Sequence, residues 1–266
     1  MTVRVEKNGA VTTVIHSSPE SRNAMDPDSA AELVAAFEAF DADPTASVAV
    51  FWGEGGAFCA GWDLKYASTL EGKAHPLGHL DFPADDAPVP RGPMGPSRLK
   101  LGKPVIAAVA GPAVAGGFEL ALWCDLRVME QSAYFGVYCR RWGVPLIDGG
   151  TVRLPRLVGQ GRALEIIMTG RKVPAEECLR IGACEQVVAD GQSRAAAEAL
   201  AADIARYPQG CMRADRRSVY LQNGLQVEDA LRSEWNNSID MLAEEGVAGA
   251  TRFSGGKGRH GDFGDI

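Results

Sequence analysis

Lys103-Pro-Val-Ile-Ala-Ala-Val-Ala-Gly-Pro-Ala-Val-Ala-Gly-Gly-Phe-Glu-Leu-Ala-Leu-Trp-Cys-Asp125 changes period halfway along its length. Residues 105–110 form a short apolar run opened by Pro104, which fits a fully buried strand. Gly111-Pro112 is a turn signal, and Phe118, Leu120, Leu122 and Trp123 then fit a buried helix with Gly116 and Gly117 at its start. The first N–H groups of a helix lack an internal partner, and glycine lets another group approach the backbone. Such a junction suits an anion or a developing oxyanion. It equally suits plain close packing of strand on helix, and this stretch alone leaves both readings open.

A second stretch has the same design. Phe58-Cys-Ala-Gly-Trp-Asp-Leu-Lys65 follows the strand-like Val48-Ala-Val-Phe-Trp52 and a glycine-rich turn at 53–56, so again a strand leads through glycine into a helix. With this pair of motifs the chain resembles the crotonase family, the enoyl-CoA hydratases and isomerases. The hallmark of that family is Phe-Cys/Ser-Ala-Gly-x-Asp-Leu/Ile followed, in order, by Gly-Gly-x-Glu-Leu-Ala. The likeness extends from Arg22-Asn23-Ala24 to the C-terminal helices. It implies an α/β fold, the crotonase (ClpP-like) spiral of ββα units, over residues 1–195, and a C-terminal helical trimerisation region over residues 196–266. No internal repeat is visible in the sequence itself, so the spiral rests on the resemblance. So does the expected assembly, a homotrimer or a dimer of trimers.

In that family two backbone N–H groups form an oxyanion hole for the thioester carbonyl of an acyl-CoA. Carried over by position, the donors are Trp62 and Gly116. Each well-aimed donor is worth roughly 3 kcal/mol in the transition state. Trp62 replaces the family's usual small residue; a main-chain donor survives that change, while the pocket beside it is reshaped. The same motifs imply substrate contacts at Ala60, Gly61, Asp63, Leu64 and Gly117. Arg22 and Ala24 match a stretch whose backbone lies along the CoA moiety.

Hydratases of the family use two glutamates. Glu119 occupies the first position; by itself it would read as a first-turn glutamate offsetting the helix dipole for under about 1 kcal/mol. The second falls, on alignment through Phe135-Gly136 and Gly149-Gly150-Thr151, at Cys139, within the substrate site. A thiol with an ordinary pKa of about 8.5 is mostly protonated at neutral pH and holds water poorly. Asp148 lies in a loop where several members carry a catalytic aspartate, displaced here by one residue, and it is equally a turn former before Gly149-Gly150. The expectation is therefore an enoyl-CoA hydratase-type lyase working through an enolate, with no cofactor because the CoA thioester is itself the substrate. Double-bond isomerisation by Glu119 and Asp148 is the alternative, since one carboxylate can carry a proton between α and γ carbons. From a different class, a non-catalytic acyl-CoA-binding protein keeps the hole and lacks the chemistry.

Bulk properties narrow the rest. The 266 residues are 46% hydrophobic and 23% charged, as in an ordinary globular protein. A net charge of -7 argues against nucleic acid as a partner. No run of about eighteen apolar residues occurs, so no membrane association is expected. The N-terminal stretch lacks the apolar core of a signal peptide, and the six cysteines form no Cys-x-x-Cys pair, so free thiols and a cytoplasmic location are expected. His75 and His79 have the spacing of a helical metal pair, but Pro76 and Gly78 argue against a helix and no metal site is expected. No Gly-x-Ser-x-Gly elbow and no Gly-Lys-Ser/Thr loop is present.

Along the chain, Asn8-Gly9 predicts a hairpin whose two turn residues take positive φ. Asp26 and Pro27 predict a helix start, with Leu33, Val34, Phe37 and Phe40 on one face. Residues 66–98 lose periodicity and gather prolines, as in a long functional or disordered loop; the resemblance implies that this segment borders the acyl pocket, so a partly mobile lid is expected. Short strands are expected at 126–129, 133–137 and 185–188, and helices at 161–170, 174–182, 193–207 and 225–245. Leu200, Ile204, Leu231, Trp235, Ile239 and Leu242 stand at core spacing in the last two. Arg140 and Arg141 suit either a phosphate or open surface, and the basic tail at 253–261 either a neighbouring subunit's CoA or a frayed end.

Overall fold

The computed structural model describes residues 1–261 and 264, and the chain divides into two compact units, Met1–Ala202 and Asp203–Ile266. The expected division at 195/196 lies a few residues upstream. Strands β1 (Val3–Asn8) and β2 (Val11–His16) form the expected hairpin, with Asn8 opposite Val11. The turn therefore sits one residue later than expected, on Gly9-Ala10, and only Gly9 takes a positive φ, +58°. Helix α1 (Pro27–Ala42) begins where Asp26 accepts a hydrogen bond from the Ser29 N–H, and its buried Leu33, Phe37 and Phe40 meet the sheet. Phe37 packs edge-on against both Phe51 and Trp123.

Strand β3 (Val48–Gly53) runs parallel to β2, and after the short helix α2 (Leu64–Ser68) strand β4 (Val105–Val109) adds parallel to β3. β4 is buried along its whole length, as its unbroken apolar run requires of a parallel strand covered on both faces. Next come β5 (Pro112–Val114), α3 (Gly116–Trp123), β6 (Leu126–Glu130), β7 (Tyr134–Gly136), α4 (Gly150–Val158), α5 (Gln160–Thr169), β8 (Lys172–Pro174), α6 (Ala175–Ile181), β9 (Gln186–Val188) and α7 (Ser193–Ala205). The large sheet has the order β1-β2-β3-β4-β6-β9, and β5-β7-β8 form a second, smaller one. β4-β5-α3 and β6-β7-α4 repeat one strand, strand, helix order, with first strands paired in the large sheet and second strands paired in the small one. This is a mixed α/β architecture of ββα units.

Two of the small sheet's strands differ from the sequence reading. Gly111-Pro112 is read as a turn, yet Pro112 opens β5, where its missing N–H costs little at a strand's first position. β8 pairs antiparallel with β7 and is likewise only three residues long, too short for periodicity to register.

In Asp203–Ile266, α8 (Gln209–Leu221), which the sequence reading leaves unassigned, pairs with α9 (Val227–Met241), and a π-helical stretch Leu242–Gly246 leads into α10 (Val247–Ser254). The Glu245 carboxylate accepts from the first amides of α8, Gly210 and Cys211, at 2.9 and 2.7 Å. Leu231, Trp235 and Leu242, expected as core, are exposed. Their spacing is helical, but within one chain nothing in this unit covers them among the described residues.

Candidate active site

The two glycine junctions meet at β5. On one edge of this strand Phe58 N–H donates to the Pro112 carbonyl at 3.0 Å and Val114 N–H to the Cys59 carbonyl at 3.0 Å. Just beyond β5, Ala115 N–H donates to the Gly136 carbonyl at the end of β7, at 2.8 Å. The 58–63 stretch is held from its other side by the loop before α1. Ala60 N–H donates to the Arg22 carbonyl at 3.0 Å, Met25 N–H to the Gly61 carbonyl at 2.7 Å, and Asp63 N–H to the Met25 carbonyl at 2.8 Å. In this parallel bridge the neighbours of Trp62 bond Met25, which leaves the Trp62 N–H itself outside the ladder.

Gly116 is the first residue of α3, so its N–H has no partner in a preceding turn. A Cβ added to Gly61, whose φ is +96°, would lie 3.1 Å from Gly116 N and 2.7 Å from Ala115 Cβ. The chain at Gly61, the residue before Trp62, thus abuts the amide of Gly116. At Gly117 a Cβ would collide with the Cys59 carbonyl, which fixes the approach from the other side. Ala115, between β5 and α3, has φ +53° and ψ -124°. A non-glycine residue there stores strain of about 1–3 kcal/mol, a cost that recurs where a backbone must be aimed.

Glu119, one turn into α3, is 2% exposed. Its Oε1 accepts from the Asp148 N–H at 2.9 Å and the Gly150 N–H at 2.8 Å, and Oε2 accepts no hydrogen bond among the described residues. Burial, helped by the negative charge of Asp148, pushes the carboxyl up to about 7; the two amides and Arg153 oppose that rise. Asp148 is also buried, and its Oδ1 accepts from the Met94 N–H at 3.0 Å and from the Ser97 hydroxyl. Burial raises the Asp148 carboxyl as well, against those two bonds and the nearby Arg98 and Arg153. Cys139, in a 3-10 turn over Tyr138–Trp142, is buried with its thiol raised by that burial and by the charge of Glu119. It therefore stands beside Glu119 as a neutral group.

Trp62, Gly116, Glu119, Asp148 and Cys139 thus come together, with Gly61 and Gly117 at the points of close approach. Ala60 and Ala24 are partly buried, Arg22 and Leu64 lie exposed at the rim, and the Asp63 side chain is occupied in capping α2 through the Lys65 N–H at 2.7 Å. Sequence reasoning missed four further residues. Asn23, fully buried at φ +56°, accepts from Ser18 N–H and donates to the Glu54 and Ala57 carbonyls at 2.9 and 2.7 Å, locking the rim loop. Met94 is buried against the α-carbon of Gly116 and its N–H donates to Asp148, to which the Ser97 hydroxyl and Arg153 also donate. The segment read as a partly mobile lid is thus anchored at its end. Leu80 is buried, and Arg98 donates to its carbonyl at 2.6 Å while lying over the Phe82 ring. His75 pairs with Asp81 at 2.7 Å, and no cluster of three potential metal ligands occurs among the described residues.

A family profile described as enoyl-CoA hydratase/isomerase matches residues 6–254. Enoyl-CoA hydratase EchA19 of Mycobacterium tuberculosis is 32% identical, over 94% of this chain and 92% of its own. The (E)-benzylidenesuccinyl-CoA hydratase of Thauera aromatica is 32% identical over 87% of each chain, and the carnitinyl-CoA dehydratase of Proteus mirabilis 38% identical over 74% of this chain and 72% of its own. Among solved structures, enoyl-CoA hydratase from Mycobacterium tuberculosis H37Rv superposes with a TM-score of 0.82 at 30% identity, covering 94% of this chain and 96% of that one. The chain belongs to the enoyl-CoA hydratase/isomerase family and is an acyl-CoA enzyme of the enoyl-CoA hydratase type.

Proposed function

We propose that the enzyme adds water to, or removes it from, a 2-enoyl-CoA, with the Trp62 and Gly116 amides on the thioester oxygen and Glu119 as the proton carrier. The observation that carries this reading is Glu119 itself: one oxygen pinned by two amides, the other free, beside two main-chain N–H groups left over from the β5 junction. In hydration, the ionised Glu119 takes a proton from water at Oε2 as the water oxygen bonds to Cβ, and the electron pair of the Cα=Cβ bond moves into the thioester as an enolate. The two amides hold the enolate oxygen. The same carboxyl, now neutral, returns its proton to Cα, so one water is added and Glu119 is regenerated. Cys139 supplies no second carboxylate, and proton transfer alone needs no resident cofactor.

Both directions begin from ionised Glu119. With its carboxyl raised to about 7, kcat/KM rises through an acid limb near that pH, well above the limb of an ordinary glutamate. A pH profile of crotonyl-CoA hydration, with products identified by mass, checks this; a flat profile between pH 5 and 8 contradicts it. A product with a shifted double bond and no added water would place the enzyme among the isomerases, for which a single carboxyl suffices.

In the same reading, Arg22 and Ala24 flank the CoA moiety, Ala60, Gly61 and Gly117 surround the thioester, and Asp63 and Leu64 shape its entrance. The exposed Leu231, Trp235 and Leu242 support assembly through the C-terminal helices into a homotrimer or a dimer of trimers. Replacing Leu231 and Trp235 together by Asp is expected to reduce the mass seen by analytical ultracentrifugation to that of one chain. The described cysteines are all free, which suits a cytoplasmic enzyme.

A further inference from the structure

Asp148 joins two parts of the site that are far apart in sequence. Its N–H donates to Glu119 Oε1, while its Oδ1 accepts from Met94 N–H and the Ser97 hydroxyl. Arg153 closes the frame, with Nη1 donating to the Asp148 carbonyl at 2.8 Å and Nη2 to the Ser97 carbonyl at 2.7 Å. Ser97 is 1% and Asp148 4% exposed, and Met94, beside them, packs on Gly116. A turn-forming aspartate would need none of this, and burying a carboxylate is costly unless its bonds are used. Glu119 is faced by Asp148, Cys139 and Arg153; Asp148 is faced by Glu119, Cys59, Ser97, Arg98 and Arg153.

We propose that Asp148 is a positioning residue, which holds Glu119 and the Met94 wall over Gly116 in one hydrogen-bonded frame and keeps a negative charge beside Glu119, acting through both without touching the substrate. This rests on Glu119 being the proton carrier. A like charge favours the protonated form of its neighbour, so removing it lets Glu119 ionise at lower pH.

The test compares Asp148→Asn, Ser97→Ala and Glu119→Gln on crotonyl-CoA, with kcat and KM measured separately across pH. Asn keeps an acceptor for Met94 and Ser97 but carries no charge. Its acid limb in kcat/KM is expected to move down by roughly half a pH unit or more, with kcat lowered and KM little changed. Ser97→Ala keeps the Asp148 carboxyl and removes one of the bonds that hold it in the frame, so kcat falls about tenfold or more with KM little changed. An unmoved limb in Asp148→Asn, a loss of turnover in it as complete as in Glu119→Gln, or a parental kcat in Ser97→Ala would each overturn the proposal. If Glu119→Gln is inactive while Asp148→Asn keeps the parental limb, only the role of Asp148 fails; a fully active Glu119→Gln sinks the proton-carrier reading itself.

Discussion

Glu119→Gln is expected to lower kcat for crotonyl-CoA hydration by about 10²–10⁴-fold, the usual share of a positioned acid or base. Gln keeps an oxygen where Oε1 accepts the Asp148 and Gly150 amides, so the variant should fold. It should also respond differently to pH. The Glu119 carboxyl titrates about 7 in the folded protein against an ordinary value of 4.5, so the fold binds that proton more tightly than the unfolded chain does. This stabilisation is fully present below pH 4.5 and is lost as the pH rises through 7, a difference on the order of 3 kcal/mol. Urea unfolding at pH 5 and pH 8 is expected to show that slope in the parent and a weaker one in Glu119→Gln. Equal slopes in the two proteins, or parental turnover in the variant, would count against Glu119.

The second large effect is expected at Gly61. Gly61→Ala puts a methyl group 2.7 Å from Ala115 Cβ and 3.1 Å from Gly116 N, on a backbone with φ +96°. Something must shift, and what lies there is the backbone that carries the two amides proposed as oxyanion donors. Losing the aim of one donor costs roughly 3 kcal/mol, so kcat/KM should fall by about 10²-fold or more. Trp62→Ala is the contrasting variant, because it alters the pocket wall and leaves the amide in place. If Gly61→Ala keeps parental kcat/KM while Trp62→Ala loses it, the side chain rather than the backbone carries the chemistry at this junction.

The parts of this protein legible in its sequence are those written in local chemistry. The Asp26-Pro27 helix start, the buried runs of β3 and β4 and the two glycine junctions each depend on neighbouring residues. Of the second sheet only β7 was legible, because three-residue strands such as β5 and β8 are defined by their partners and not by a pattern. α8 escaped because its sequence, Gln209–Leu221, is polar on average and carries few apolar residues to mark it. Glu119 could be singled out from its motif, and Cys139 and Asp148 from alignment through Phe135-Gly136 and Gly149-Gly150. Met94 and Ser97 could not, since their partner Asp148 lies more than fifty residues on, at 54 and 51 positions respectively, and they end a segment without periodicity. Leu231 and Trp235 show the opposite failure: a helical stripe reveals that a face is apolar and says nothing of whether its own chain covers it.

The double amide grip on Glu119 Oε1 also decides where the neutral acid carries its hydrogen. N–H donors suit a carbonyl-type oxygen and repel a hydroxyl, so protonation at Oε1 is disfavoured and the hydroxyl forms at Oε2. The carboxyl is thereby held as a single tautomer, and the atom that receives a proton is the one that must deliver it.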